Sequence, residues 1–177
     1  AHLVFQAAVD LFQAVGHAHV RTGLPIFTHN AYTGTRSTPP PPPRDAAIRQ
    51  LDLLESVGVN PRNVAIGHVC CLDDPKAEVA IQLAKRGAFV GFDRVTIPTV
   101  PDSLRVTMIL AMLDAGCADN LLLSSDFYSP TMLKKNGGGG LAQTVTVFAP
   151  LLNKAGVADD VVHHILVDNP RRLLAFV

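Results

Sequence analysis

The sequence has few cysteines, no excess of charge of either sign and no long apolar run. Fifteen Lys and Arg residues balance fifteen Asp and Glu residues, so neither a nucleic acid nor an anionic membrane surface is expected as the main partner. No apolar run approaches the roughly 20 residues that a membrane-spanning helix needs. The first residues lack a basic segment followed by an apolar stretch, so no signal peptide is expected. Nucleic-acid and membrane binding are therefore not predicted.

The cysteine content argues against a disulfide scaffold. The chain of 177 residues has only three cysteines, Cys70, Cys71 and Cys117, and the first two are adjacent. Neighbouring cysteines rarely bridge each other, and the sequence has no C-x-x-C pair of the kind found in zinc sites. Burial as small apolar side chains is favoured over metal ligation by these thiols. Free thiols are typical of a reducing compartment, so a cytoplasmic location is expected.

Short apolar segments alternate with helical patterns along the chain. Almost half of the residues (48%) are apolar, which is enough for the core of one domain. Strands are predicted at residues 24–28, 64–67, 88–92 and 121–124 because these segments are apolar throughout, as parallel strands are when both faces of the sheet are buried. Helical patterns stand between them, and this alternation predicts an α/β fold with a parallel sheet.

Other segments carry more local expectations. Asp74 and Pro75 are typical of a helix N-cap and of the first helical position, so a helix is predicted to begin there. Further helices are expected at residues 143–153 and 157–167. The five prolines at residues 39–43 predict a stiff surface loop, with a docking site for a proline-binding module as the alternative.

A titratable, metal-capable residue follows each predicted strand: His29, His68, Asp93 and Asp126. In a (β/α)8 barrel this end of the strands carries the active site, because the loops converge on one mouth. A lone histidine at a strand end is more often structural than a ligand, but two histidines and an aspartate at equivalent ends favour a metal site. The separations of 39 and 58 residues between His29, His68 and Asp126 are too long for a zinc finger and fit separate βα units.

The other histidines are not expected to bind metal. His17 and His19 lie in the first helical pattern, where residues two apart point to different sides of the helix. His163 and His164 also lie in a helical pattern and are interpreted as surface residues.

Five segments, in this order and spacing, resemble the second half of the phosphotriesterase family: PIFTHN at residues 25–30, AIGHVCCLDDP at 65–75, FVGFDRV at 89–95, LLLSSDF at 121–127 and ILVDNPRRLLAF at 165–176. That family includes the phosphotriesterase-like lactonases and belongs to the amidohydrolase superfamily. The resemblance implies a (β/α)8 TIM barrel that holds two divalent metal ions, usually Zn²⁺, at its mouth. It also implies that residues 1–177 are a single partial domain, the C-terminal half of the barrel with strands five to eight.

The resemblance also implies roles for three strand-end residues. His29 and His68 match the fifth- and sixth-strand ligands of the more exposed metal ion. Asp126 matches the eighth-strand aspartate, which binds the buried metal ion and takes up a proton, and is therefore the expected catalytic residue. The implied function is a metal-dependent hydrolase that cleaves small-molecule lactones, esters or organophosphate triesters with a metal-activated hydroxide.

Two departures from the family pattern affect this expectation. The first-strand His-x-His and the bridging fourth-strand lysine have no counterpart and by register would lie before Ala1, so the chain alone is expected to be inactive. Phosphotriesterases proper have a histidine and an aspartate where this sequence has Arg94 and Cys71. The pair Asp93-Arg94 resembles the lactonase branch instead. Arg94 is interpreted either as a substrate-binding residue or as part of a salt bridge within the barrel mouth.

Two alternative functions stay open. One is a non-catalytic half-barrel with an incomplete metal site, which associates as a homodimer. The other is a sugar-phosphate-binding barrel without a metal ion. The two histidines, the acidic ligand and the lack of a recognisable phosphate loop disfavour the second alternative.

Overall fold

The computed structural model describes residues 2–30, 32 and 42–175 of the chain. In this part of the chain, four parallel strands form one sheet in their sequence order: β1 (Ile26–Thr28), β2 (Val64–Ile66), β3 (Phe89–Phe92) and β4 (Leu121–Leu123). Each crossover between neighbouring strands contains a helix, as parallel pairing requires. The predicted α/β fold with a parallel sheet is confirmed, and each observed strand lies within its predicted segment.

Helices precede β1, connect successive strands and follow β4. The first is α1 (His2–Thr22), and the crossover helices are α2 (Ala46–Glu55), α3 (Glu78–Lys85) and α4 (Asp102–Asp114). After β4 come a π-helical turn at Thr144–Phe148, α5 (Ala149–Lys154), α6 (Asp159–His163), a second π-helical turn at His164–Asp168, and α7 (Asn169–Leu174). Short 3-10 helices lie at Pro61–Asn63, Val69–Cys71, Ala118–Asn120, Pro130–Met132 and Lys134–Asn136. Within the described residues, no helix has the length and apolar character needed to span a membrane.

The two faces of the sheet differ in what covers them. Successive strand residues point to opposite faces. One face, which includes Ile66 and Val90, is buried in the main apolar core with the helices. The other face holds a smaller buried cluster, formed by Ala65, Phe89, Leu122 and, from α7, Leu173. Phe27 pairs with Ala65 on this second face but is 56% exposed, so the β1 end of the face lies open.

The predicted start of the third helix is wrong. Helix α3 begins at Glu78, because Ala77 has a left-handed backbone (φ 51°) that the helix cannot contain. Asp74 still caps this end of the helix, since its Oδ2 accepts a hydrogen bond from the Val79 backbone N–H at 3.0 Å. Its other oxygen lies 2.7 Å from Arg44 Nη2. The capping role of Asp74 therefore agrees with the prediction, whereas the helix begins further along the chain than expected.

The helices predicted at 143–153 and 157–167 contain π-helical turns that were not expected. Each turn leads into a helix whose second residue is a proline, Pro150 or Pro170. A proline lacks the N–H for the usual bond and its ring crowds the carbonyl four residues earlier. A π-helical turn accommodates both effects by widening the helix. Of the proline run, residues 39–41 lie outside the described residues, so the predicted stiff loop stays a prediction.

Candidate active site

The four strand-end residues lie at one edge of the sheet. His29 follows β1, His68 follows β2, Asp93 follows β3 and Asp126 follows β4, and all four strands are parallel neighbours. The ring centroids of His29 and His68 are 4.5 Å apart, with the rings nearly perpendicular at 79°. The charges of Asp93 and Asp126 act on the pKa values of both histidines. The side chains therefore form one electrostatic cluster, as their strand-end positions predict.

His68 is fixed by Asp93 through three polar contacts. The backbone N–H of His68 donates to both carboxylate oxygens of Asp93, at 2.9 and 3.1 Å. The ring atom Nδ1 of His68 lies 2.9 Å from Asp93 Oδ1, and both side chains are buried. Because a carboxylate accepts hydrogen bonds, the Nδ1–H of His68 donates to Asp93, and in the neutral ring Nε2 keeps its lone pair. The tether thus orients the ring and presents Nε2 for binding.

The two histidines have pKa values shifted in opposite directions. Burial lowers the pKa of His29, and the neighbouring His68 lowers it further, against the weaker opposing effect of Asp126 and Asp93. Burial also disfavours the charged form of His68, but the hydrogen bond to Asp93 and the Asp93 charge outweigh it and raise the pKa of His68. Near neutral pH, His29 is therefore the more readily neutral side chain of the pair.

Replacement of Asp93 by asparagine is expected to lower the pKa of His68, because the variant loses the negative charge while burial remains. The pKa of His68 in the folded protein is raised above its ordinary value of about 6.5. The stabilising contribution of His68 is therefore complete below that pH and is lost as pH rises through the raised folded-state pKa. The Asp93→Asn variant should lose this low-pH stabilisation. NMR titration of the histidine rings, with denaturation at several pH values, measures both effects. Asp114→Asn, an exposed change, is the control, and an unchanged His68 titration in Asp93→Asn would contradict the assigned tether.

Arg94 forms an ion pair with Asp126 at the mouth of the site. Arg94 Nε lies 3.3 Å from Asp126 Oδ2, although its orientation leaves this nitrogen without a hydrogen bond among the described residues. The structure thus shows the salt bridge, which was one of the two interpretations of Arg94. Asp126 and His68 both have left-handed backbones, with φ of 47° and 60°. Such strained conformations cluster at functional sites, where the surrounding structure holds a side chain in a fixed direction.

Two residues that support His29 were missed by the sequence reasoning. Asn30 is 2% exposed, and its Nδ2 donates to the carbonyl of Gly67 at 3.0 Å and to Gln50 Oε1 at 3.2 Å. Gln50 in turn donates to the carbonyl of His29 at 2.9 Å. A polar residue directly after a buried strand was the available signal for Asn30. Gln50 gives no such signal, because an exposed face of a helix also carries glutamine.

The adjacent cysteines lie beneath this edge of the sheet. Both are buried in the short helix that follows His68, with their sulfur atoms 4.0 Å apart, and Cys70 Sγ lies 3.9 Å from Asp93 Oδ1. Burial raises the pKa of the Cys70 thiol well above its usual range. The pKa of Cys71 is lowered to about 7. The hydrogen bond from the Cys70 thiol has the largest effect, and the nearby Arg94 and Arg105 lower the pKa further, whereas burial of Cys71 opposes the shift. All three cysteines are free, as predicted.

The donor atoms at this edge match zinc in kind. Imidazole nitrogens and a carboxylate are ordinary zinc ligands, and a metal-binding histidine usually donates its second ring N–H to a carboxylate, as His68 does to Asp93. Among the residues that the structure describes, no three His, Cys, Asp or Glu side chains are grouped closely enough to hold a metal ion. His29 and His68 fit as a pair of ligands, and Asp126 lies across the edge in its ion pair with Arg94.

Two of the histidines outside the cluster, His19 and His164, make structural contacts. His19 is buried in α1, with Nδ1 2.6 Å from the carbonyl of Leu24. His164 is half-buried, and its ring nitrogens lie 2.7 Å from Asp119 and 3.2 Å from Asp168. These carboxylates, Asp119 first, raise the pKa of His164. The interpretation of His164 as a plain surface residue therefore misses its ion pairs.

Known proteins match almost the whole of this chain. The sequence profile of the phosphotriesterase family matches residues 5–174. The phosphotriesterase homology protein of Escherichia coli (strain K12) is 32% identical over 161 residues, which cover 90% of this chain and 51% of that protein. Human N-acetyltaurine hydrolase is 24% identical over 177 residues, which cover 94% of this chain and 48% of that protein.

Solved structures give the same match. The crystal structure of the E. coli phosphotriesterase homology protein, with phosphate in its active site, aligns with a TM-score of 0.80 and 31% identity over 92% of this chain and 52% of that chain. A lactonase from Listeria monocytogenes aligns with a TM-score of 0.79 and 28% identity over 94% of this chain and 49% of that chain. This chain spans about half the length of the relatives it matches. Because the family profile covers nearly all of it, the chain belongs to the phosphotriesterase family.

Proposed function

We propose that this chain contributes part of the active site of a metal-dependent hydrolase. The observation that carries the proposal is the tether between His68 and Asp93, which leaves Nε2 of His68 free beside the ring of His29. Metal-binding histidines are commonly oriented by a carboxylate in this way. Hydrolytic activity is supported by the family and by relatives that are a hydrolase and a lactonase.

We further propose that the sheet is the C-terminal half of a (β/α)8 TIM barrel. Four parallel strands in sequence order, each followed by a helical segment, match the repeating pattern of half such a barrel and support this proposal. Within the described residues, β1 and β4 each pair on one side only, which leaves two strand edges for the other half. Two observations support this arrangement. Phe27 is exposed at the β1 end of the second face of the sheet, and the chain matches about half the length of its relatives.

The proposed site gives distinct roles to His29, His68, Asp126 and Arg94. His29 and His68 hold one divalent ion and Asp126 contributes to holding a second, with Zn²⁺ as the expected metal. When bound, such ions would supply Lewis-acid polarisation of the substrate oxygen and would activate a water molecule for attack. Asp126 accepts the proton released during hydrolysis, as a carboxylate beside the reacting atoms can. Arg94 keeps further guanidinium N–H groups for a substrate oxygen while Nε faces Asp126.

The substrate class is proposed to be lactones or related esters rather than aryl phosphotriesters. Arg94 and Cys71 replace the histidine and aspartate of phosphotriesterases proper, and the Listeria relative is a lactonase. In a hydrolase of the relatives' full length that carries this sequence, kcat/KM is expected to be higher for a lactone than for an aryl phosphotriester. The opposite preference would remove the lactonase assignment and leave the metal site untouched.

Zinc titration of the chain tests the proposed ligands directly. His68→Ala is expected to weaken Zn²⁺ binding more than about tenfold, because removing even a partner of a metal ligand costs about 10–100-fold. His164→Ala removes a histidine held by two other carboxylates and should leave zinc affinity unchanged. Isothermal titration calorimetry of the three proteins gives the comparison. Equal zinc affinity in the native chain and in His68→Ala would contradict the proposed site.

The zinc-loaded chain alone is expected to hydrolyse a lactone poorly. A catalytic zinc usually needs three protein ligands, and only His29 and His68 are proposed for one ion here. Lactone turnover is measured for the native chain and for His68→Ala. Rapid turnover that His68→Ala abolishes would show that these residues suffice for catalysis.

The second candidate function is a half-barrel that pairs with another copy of itself. An apolar groove of about 300 Å³ runs between α1 and β1 and contains the exposed side chains of Leu11 and Phe27. In a twofold dimer, the free edge of β1 in each copy would meet the free edge of β4 in the other, which keeps all strands parallel. Light scattering of the chain and of Phe27→Asp distinguishes a dimer from a monomer. The charge control is Gln82→Asp, at an exposed position of α3. A monomeric native chain would exclude this candidate.

A further inference from the structure

The adjacent cysteines stand out among the groups that hydrolysis does not use. Cys70 and Cys71 lie in the Val69–Cys71 turn, with their sulfur atoms 4.0 Å apart and on the same side of the chain. Thiols of neighbouring residues can also point apart, so this shared orientation is a specific feature of the turn. Cys70 is fully buried and Cys71 is 5% exposed, which makes Cys71 the thiol that a small reagent reaches first.

The turn that carries the two thiols is also the turn that holds His68. The backbone N–H of Cys71 donates to the carbonyl of His68 at 3.0 Å. On its other side, the Cys70 thiol lies 3.9 Å from Asp93 Oδ1, the oxygen that contacts the His68 ring. A change in the spacing of the two sulfur atoms therefore acts on both the backbone and the side-chain partner of His68.

We propose that Cys70 and Cys71 are an oxidisable dithiol that closes to a vicinal disulfide on reaction with hydrogen peroxide, and that closure displaces His68 from its position beside Asp93. Peroxide is the oxidant that fits, because it is small enough to reach thiols that are almost wholly buried. The modification lies next to the proposed metal site but stands on the thiol geometry, so it does not depend on the proposed hydrolase function.

The chemistry balances with one peroxide and no other reactant. The Cys71 sulfur attacks one peroxide oxygen, the O–O bond breaks, and Cys71 becomes a sulfenic acid while the other oxygen leaves as water. The Cys70 sulfur then attacks the Cys71 sulfur, the S–O bond breaks, and a second water leaves with the thiol proton. Two thiols lose two electrons in total, and one hydrogen peroxide is reduced to two waters.

Closure requires the turn to change shape, which makes the bond reversible. The sulfur atoms must approach from 4.0 Å to a bonding distance of about 2.0 Å. Adjacent α-carbons are about 3.8 Å apart, closer than the range of roughly 4.4–6.8 Å in ordinary disulfides. Such a bond is strained, and strained disulfides are the readily reduced, regulatory ones. Bridges between neighbouring cysteines are rare because they are strained, so a bond between Cys70 and Cys71 fits a reversible switch and not a permanent structural bridge.

The test counts thiols in the whole chain before and after peroxide treatment. The reduced protein, denatured and alkylated, should take up three alkyl groups, and the oxidised protein should take up one and lose two hydrogen atoms in mass. Dithiothreitol should restore all three, and peptide mapping should place the bridge between residues 70 and 71. Cys117 is the internal control, because it is equally buried but lies in another part of the chain, with its thiol towards the carbonyl of Ala115.

Variants separate the dithiol from general oxidation. Cys117→Ser should still lose two thiols, whereas Cys70→Ser should leave Cys71 as a sulfenic acid that dimedone traps. NMR of the histidine rings should show the His68 signal shift on oxidation and return on reduction, while the His164 signal stays. Three alkylated cysteines after peroxide, or a bridge that includes Cys117, would overturn the proposal. An unmoved His68 signal in a bridged protein would overturn its coupling to the site.

Discussion

Gly67→Ala is expected to lower the free energy of unfolding by more than about 3 kcal/mol, which exceeds the usual cost of overpacking a core. The backbone N–H of Gly67 donates to the carbonyl of Thr28 at 3.1 Å. A Cβ at this position would lie 2.3 Å from that carbonyl oxygen and 3.0 Å from Asp93 Oδ2. The first contact is with backbone, which cannot rotate away, so β1 and β2 would have to separate.

Gly116 provides the matched control for this substitution. It has a left-handed backbone, φ 73°, but no neighbouring atom lies within 4 Å of where an alanine methyl group would stand, so Gly116→Ala is expected to cost roughly 1–2 kcal/mol from backbone strain alone. Urea denaturation of the two variants compares steric crowding with backbone strain. A smaller loss of stability in Gly67→Ala than in Gly116→Ala would show that β1 and β2 can move apart at little cost. Disturbance of the His68 ring signal is also expected in Gly67→Ala, because the methyl group presses on Asp93.

Strand positions could be predicted from the sequence because they depend on local composition. Four short apolar segments bounded by polar residues and glycines have few other folds available, and the observed strands all lie within them. The carboxyl-terminal placement of His29, His68, Asp93 and Asp126 followed from the strand ends alone. Helix boundaries were less predictable. The left-handed backbone of Ala77 is not indicated by its residue type, and the prolines at 150 and 170 indicate a disturbed helix without specifying a π-helical turn.

The contacts within the site could not be predicted, because they join residues from different strands. Asp93 and Asp126 occupy equivalent strand ends, yet one binds His68 and the other pairs with Arg94. That division depends on the sheet order and on the left-handed turns at His68 and Asp126, neither of which is visible in a periodic pattern. The family resemblance assigned ligand roles to His29, His68 and Asp126 but gave no role to Asp93, whose carboxylate holds both the backbone and the ring of His68.

The loop that follows Arg94 is held by an ion pair between the buried Arg105 and the half-buried Asp102. Arg105 in α4 is 0% exposed, and its guanidinium donates to Asp102 and, at 3.0 Å, to the carbonyl of Ile97. Asp102 also accepts a hydrogen bond from the backbone N–H of Thr96 at 3.0 Å. Thr96 has a left-handed backbone, φ 66°, which these bonds hold in place. The network therefore fixes the path of the chain from β3 to α4.

Removal of the Asp102 carboxylate is expected to destabilise the protein by about 3–5 kcal/mol, the usual cost of leaving a buried charge without its partner. Asp102→Ala leaves the Arg105 guanidinium buried with only the Ile97 carbonyl. Arg105→Met added to Asp102→Ala removes the unpaired charge and should recover part of the loss, because a buried ion pair can often be replaced by apolar side chains. Urea denaturation of both single variants and the double variant gives the interaction free energy.

Asp114→Ala, at the exposed end of the same helix, controls for the loss of an aspartate and should change stability by less than about 0.5 kcal/mol. Hydrogen exchange should accelerate at Thr96 in Asp102→Ala, because its backbone N–H loses its acceptor on the carboxylate. Equal stability of Asp102→Ala and Asp114→Ala would show that water reaches Arg105 and replaces its partner. Since Arg94 is two residues before Thr96, loosening of this loop would also free the arginine from its position beside Asp126. The Asp102–Arg105 pair in α4 is therefore expected to stabilise the position of Arg94 at the mouth of the site.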